Sequence, residues 1–215
     1  MKQNKESEMI MILGITGGVG AGKSTVLHVL ETEFHAHIIQ SDQVAKDLMV
    51  PGGATYEPLV QLFGTNILDA DGSINRGRMA AAMYASAALV SKVDAIVHPR
   101  VRDAILTEIR TSKALLIVVE SALIREGRLD ELCDTIWYIY ASPEVRIERL
   151  MASRGYTREK CLSILDKQSS DEAYRALSDI VLNNDGTPEQ TRAQIHMLLD
   201  DLFETDTPED GGATL

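Results

Sequence analysis

Lys23 and Ser24 close the run Gly17-Gly18-Val19-Gly20-Ala21-Gly22-Lys23-Ser24-Thr25, which fits G-x-x-x-x-G-K-S/T. An ammonium and a hydroxyl set behind glycines at that spacing suit one kind of chemistry, the grip on a nucleoside triphosphate and its metal ion. Glycines let the backbone turn sharply and aim N–H groups at phosphate oxygens, at the positive end of the helix that follows. Lys23 is expected to reach the β- and γ-phosphates and Ser24 to offer its hydroxyl to Mg²⁺. Gly18, Val19, Gly20, Ala21, Gly22 and Thr25 complete the expected nucleotide-binding loop.

Other side chains bear on what happens to the phosphate. Transfer to a hydroxyl needs a group that orients the alcohol and takes its proton, whereas transfer to a phosphate acceptor does not. Asp42 can be that group, or it can share a helix cap with Ser41, and the residues alone leave both open. Glu120 follows an aliphatic run and can hold Mg²⁺ through water or act as a capping carboxylate. Arg146, Arg149, Arg154 and Arg158 crowd the Ser153-Arg154-Gly155 break. The planar guanidinium fork suits a transferring phosphoryl group, while Glu144, Glu148 and Glu159 offer the alternative of surface ion pairs. At least one arginine is expected to be catalytic, Arg154 ahead of Arg149 and Arg146, because Gly155 frees the backbone beside it to swing. His98-Pro99 ends the amphipathic stretch 89–97, and the histidine reads as a turn or packing residue more than as a ligand.

Strand-like and helix-like segments alternate along the chain, which predicts an α/β fold with a parallel sheet. Strands are expected at 9–16, 36–39, 114–119, 135–140 and 180–182. Helices are expected after the loop to about Phe34, over 43–49, 144–152 and 157–169, and from about Pro188. Between Pro51-Gly52-Gly53 and Arg110 the chain reads as helices broken at Phe63-Gly64 and Asp71-Gly72. Ligands of such sheets bind beyond the carboxyl ends of the strands, where Asp42, Glu120 and the loop all fall.

At 215 residues the chain suits one domain. A net charge of −11 argues against a nucleic-acid surface, which needs a basic stripe. It also requires an acidic protein that handles polyphosphates to concentrate its cations locally. No apolar run is long enough to span a bilayer, and the polar start 1–8 lacks a secretory pattern, so a cytoplasmic location is expected. Cys133 and Cys161 have no metal-ligand spacing and read as packing residues.

Over 12–199 the chain resembles the dephospho-CoA kinase family. The resemblance rests on Gly14-Ile15-Thr16 with the loop to Thr25, Asp42 with Val44-Ala45, Val50-Pro51-Gly52 and Phe63-Gly64. It continues through 71–76, Val93 to Pro99, Glu120-Ser121-Ala122-Leu123-Ile124 with Glu126, Ser142-Pro143-Glu144, Gln168 and Asp179 to Asn184. The resemblance implies a P-loop NTPase-type fold with a five-stranded parallel sheet, a helical acceptor-binding insertion at about 51–112 and a lid at about 146–172. The core then lies at about 9–50 and 113–203, in one domain over 1–203, with an acidic tail at 204–215 expected to be disordered. It implies ATP and dephospho-CoA as substrates, Mg²⁺ held by Ser24 and Glu120, and Asp42 as base toward the ribose 3′-hydroxyl. Lys23, Arg149 and Arg154 join Asp42 in catalysis; His98, Arg100 and Glu120 lie on the acceptor side, and Asn184 and Gly186 near the adenine. Three departures stand out. Gln40 replaces the first Asp of the family's Asp-x-Asp, Glu120-Ser121-Ala122 replaces Asp-Val-Pro, and the lid arginine is displaced by one position to Arg154.

Two alternatives compete. Another P-loop kinase of small metabolites or nucleotides would share the loop, and a GTP-dependent switch would need an Asn-Lys-x-Asp that Asn183-Asn184-Asp185-Gly186 does not supply. The sequence sets no oligomeric state, and a monomer is compatible with it.

Overall fold

The computed structural model describes residues 10–84 and 86–204, the last two by backbone only. The expected acidic tail, apart from Glu204, therefore lies outside the described residues. The order is β1 (Met11–Thr16), α1 (Lys23–Phe34), β2 (His37–Gln40), α2 (Ser41–Leu48), α3 (Tyr56–Phe63), α4 (Arg76–Tyr84), α5 (Ala87–Thr111), β3 (Leu116–Glu120), β4 (Thr135–Tyr140), α6 (Pro143–Arg154), α7 (Arg158–Leu165), α8 (Asp171–Leu177), β5 (Ile180–Asn183) and α9 (Pro188–Glu204). The strands make one parallel sheet in the order β2-β3-β1-β4-β5. The chain divides into two compact units, one of residues up to Thr16 with Ala36–Ile136, the other of Gly17–His35 with everything from Trp137 onward.

In the first unit β3 pairs with β1 on one side and β2 on the other. All five of its residues are buried, as a central parallel strand covered on both faces requires. The register sets Glu120 opposite both Ile15 and Gln40. The carboxyl ends of the three strands are thus level, and Gln40-Ser41-Asp42 and Glu120-Ser121 leave the sheet at one rim. Against this unit's helices runs α5, 25 residues long, burying Val93, Val97, Val101, Ile105 and Ile109 at every fourth position.

That ladder corrects the expected turn at His98-Pro99, which lies inside α5. Proline removes one helical hydrogen bond and crowds the preceding turn at about 3 kcal/mol. Pro99 is exposed, on the side away from the ladder. Five buried aliphatic side chains, at about 1.5–3 kcal/mol each, outweigh the break.

In the second unit β4 pairs with β5 from Trp137↔Ile180 to Tyr140↔Asn183, and Trp137 is fully buried. Helix α1 buries Val26, Leu27, Val29 and Leu30 and packs on α9. Helix α6 starts with Ser142 at its N-cap and Pro143 at its first position, as the sequence predicts, but no side-chain cap bond forms. Ile147 and Leu150 meet Cys161 of α7 in a small apolar cluster. Both cysteines are free, and burial pushes the Cys133 thiol up to about 12. They pack, as expected. Helix α8 has no counterpart in the sequence-based expectation.

Candidate functional site

The phosphate loop leaves β1 at Gly17, where φ is 148° and a Cβ would stand 2.6 Å from the Ile139 carbonyl oxygen, so only glycine fits the bend. Lys23 opens α1, and its Nζ donates to the Gly17 carbonyl at 2.8 Å, folding back over the loop. Ser24 and Thr25 follow, both exposed. The Val19 carbonyl accepts from Arg146 Nε at 2.9 Å, and the Ala21 carbonyl accepts from Asn184 Nδ2 at 2.7 Å and Arg149 Nη1 at 3.3 Å. In a trans peptide the C=O and the following N–H point opposite ways. Holding the carbonyls of Val19 and Ala21 on these donors therefore turns the N–H groups of Gly20 and Gly22 the other way, as an anion cradle needs.

The two arginines differ from their neighbours in what they touch. Arg158 pairs with Glu144, Arg175 with Asp171 and Arg192 with Glu33, each at 2.7 Å. Arg146 instead bonds the Val19 carbonyl and the Gln168 carboxamide, and Arg149 bonds the carbonyls of Ala21 and Asn184. All four acceptors are neutral. Burial holds the Arg146 guanidinium pKa below its usual value. Partly buried cations resting on neutral oxygens beside a glycine-rich loop are of the kind that can turn to a phosphate.

The first unit supplies a different surface. Asp42 is the second residue of α2, exposed, and the N-cap position belongs to Gln40, which makes no side-chain cap bond. Asp42 is thus no cap, and it lines a cavity of about 170 Å³ with Ser41, Val97, His98, Ser121 and Leu129. Glu120 ends β3, buried with 9% exposure. The cavity is apolar with a few polar groups, the usual make-up of a small-molecule site.

With a phosphate loop, arginines held for an anion and an uncapped carboxylate in a cavity established, the comparisons decide the family. The sequence model described as CoaE, dephospho-CoA kinase, matches residues 11–190. The dephospho-CoA kinase of Carboxydothermus hydrogenoformans is 34% identical over 194 residues, 89% of this chain and 94% of that protein. The chain belongs to the dephospho-CoA kinase family. Its members are ATP-dependent kinases with an alcohol acceptor. A solved Thermus thermophilus structure, 27% identical, superposes with a TM-score of 0.78 over 90% of this chain and 98% of that one. The Campylobacter jejuni dephospho-CoA kinase, 16% identical, scores 0.66 over 90% and 98% and shares the fold. Among the described residues no helix is long and apolar enough to cross a membrane.

The other expected site residues have the following partners. Asn184, expected near the adenine, is buried, and its Nδ2 bonds Ala21, its Oδ1 accepts from Thr191 Oγ1 at 2.5 Å, and its carbonyl accepts from Arg149. It braces the loop. Gly186 is exposed before α9. His98 lines the Asp42 cavity, with its Nε2 3.7 Å from Asp94. Arg100 donates from Nη1 to the Ile96 carbonyl of its own helix at 2.8 Å. Arg154 is exposed at the end of α6, with its guanidinium 6.0 Å from the Tyr156 ring centre. Glu144, one of the carboxylates offered as surface ion-pair partners, pairs with Arg158. Gln168 carried no role in the sequence, since nothing local marks a glutamine whose partners are a backbone N–H and a distant arginine.

Asn184→Ala leaves the Thr191 hydroxyl without its partner and unpins the Ala21 carbonyl. We expect a loss of about 1–3 kcal/mol in denaturant unfolding and a weaker affinity for ATP measured by calorimetry. An unchanged ATP affinity would mean that Asn184 does not hold the loop in its binding shape.

Proposed function

We propose that this chain transfers the γ-phosphoryl group of ATP to the ribose 3′-hydroxyl of dephospho-CoA, giving ADP and coenzyme A. The observation that carries this within the family is the Asp42 carboxylate, uncapped and facing a cavity. The acceptor oxygen attacks the γ-phosphorus, its proton passes to Asp42, and the bond to the β,γ-bridging oxygen breaks. Lys23, Arg146 and Arg149 spread the charge that moves onto the phosphoryl group and ADP. Arg154 joins them when the lid, about 146–172, closes. The helices of about 51–112 serve as the acceptor-binding region, with His98 and Arg100 among its residues.

Mg²⁺ belongs to this proposal. Among the described residues there is no cluster of three His, Cys, Asp or Glu that could cage a metal. The Ser24 hydroxyl and the Glu120 carboxylate are hard oxygen donors of the kind Mg²⁺ takes in addition to substrate phosphates. Bound there, the ion would neutralise charge on the β- and γ-oxygens. A cytoplasmic location and a monomeric state fit the same proposal.

ADP release with ATP and Mg²⁺ should require dephospho-CoA, and the product should carry one added phosphate at the ribose 3′ position. Strong turnover of a nucleoside monophosphate with none of dephospho-CoA would assign the chain to another P-loop kinase activity. Asp42→Asn keeps the side chain's shape and removes the base, so kcat should fall about a hundredfold or more while ATP affinity stays. In the same series Arg154→Lys should cut kcat at least about tenfold through loss of the two-pronged geometry. Near wild-type rates in either variant would remove that residue from the reaction.

A further inference from the structure

Gln168 lies on the link between α7 and α8, with exposed Ser169 and Ser170 after it. Its Oε1 accepts from the Val19 backbone N–H of the phosphate loop at 3.2 Å and, at the same time, from Arg146 Nη2. A loop amide and a guanidinium converging on one oxygen are the donor pair that a phosphate oxygen takes. Gly18 makes the approach possible: a Cβ there would stand 2.8 Å from Gln168 Oε1 and closer still to the Arg146 guanidinium. Arg146 is already fixed through Nε on the Val19 carbonyl. Its Nη2 can therefore change partner without the side chain leaving its place.

We propose that the Gln168 carboxamide oxygen is a placeholder for an oxygen of the terminal phosphoryl group of ATP, displaced when the nucleotide binds. The choice of the terminal group follows from position in the loop. In this proposal the amides of Gly22 to Ser24, which head α1, take the inner phosphates, and Val19, three residues before Gly22 with the Arg146 guanidinium beside it, takes the outer one. A neutral carboxamide keeps both donors hydrogen-bonded and correctly aimed in the empty protein, which avoids the cost of unpaired groups. It yields to an anionic oxygen because the Val19 amide then gains an ionised acceptor and the Arg146 guanidinium gains an oppositely charged partner in place of a neutral one. The displaced side chain is tethered to the α7–α8 link, so nucleotide arrival and the position of that link are coupled. Gln168 is on this account a positioning residue and takes no part in the chemical step.

The inference rests on the ATP-binding part of the proposed function and is separable from the identity of the acceptor. The test compares wild type, Gln168→Ala and Gln168→Glu. Calorimetry gives their affinities for ADP and for a β,γ-imido ATP analogue, and steady-state kinetics give kcat and KM for ATP. Removing the competitor in Gln168→Ala should tighten the analogue by about three- to tenfold, leave ADP within about twofold and keep kcat at saturating ATP. In Gln168→Glu a carboxylate holds the same two donors, so the analogue should weaken by at least about tenfold, with a rise in KM for ATP and a smaller effect on ADP. Weaker analogue binding or a fallen kcat in Gln168→Ala would overturn the proposal, since the glutamine would then hold Arg146 for catalysis or touch the nucleotide itself. A Gln168→Glu protein that binds the analogue like wild type would overturn it too. If wild type binds the analogue but leaves dephospho-CoA unphosphorylated, only the acceptor assignment falls. If wild type binds neither nucleotide, both proposals fall.

Discussion

Two guanidinium groups held on neutral oxygens set the terms for the second unit. Charge taken partly out of water without a counter-ion is unfavourable. The fold keeps Arg146 and Arg149 there through backbone carbonyls of the loop and of Asn184, and through one carboxamide. Helix α6 makes the placement possible. Arg146 and Arg149 are three residues apart on one face, and Ile147 and Leu150 anchor the helix in its apolar cluster with Cys161. At about 100° per residue Arg154 projects about 140° away from Arg149, which is why it stands exposed while the other two reach the loop.

The same arrangement answers the difficulty posed by the chain's net charge of −11. Polyphosphate is repelled by an acidic surface, so attraction has to be local and poorly screened. Arg158, Arg175 and Arg192 are neutralised by carboxylates and contribute little to that attraction. Arg146 and Arg149, held on neutral oxygens at the loop, keep their demand for an anion. In the first unit the carboxyl ends of β1, β2 and β3 are level, which places Asp42 and Ser121 on one cavity.

Much of this was legible in the residues. The loop lies where G-x-x-x-x-G-K-S/T puts it, β4 has its expected limits, and β3 is as buried as its aliphatic run implies. The family resemblance matched the comparison with known proteins. The misses have separate causes. A proline breaks a helix locally, but the ladder that carries α5 through Pro99 only shows over the whole stretch from Val93 to Ile109. Helix α8 buries Tyr174 alone, so its apolar period is too weak to read, although Ser170 caps it on the Ala173 N–H. The roles of Asn184, Arg146 and Gln168 depend on backbone carbonyls and amides from far along the chain. Such partners have no residue type and leave no mark in sequence.

The central claim is that Arg146 is kept for an anion, not for the stability of the empty protein. The direct measurement is the melting temperature of Arg146→Met with and without the β,γ-imido ATP analogue. Without nucleotide the variant should melt within about 3 °C of wild type or above it, because an unneutralised, half-buried charge has been replaced by an apolar side chain of similar reach. Its analogue-induced stabilisation should be largely lost. A variant that melts well below wild type when empty, yet keeps the full stabilisation by the analogue, would contradict the account.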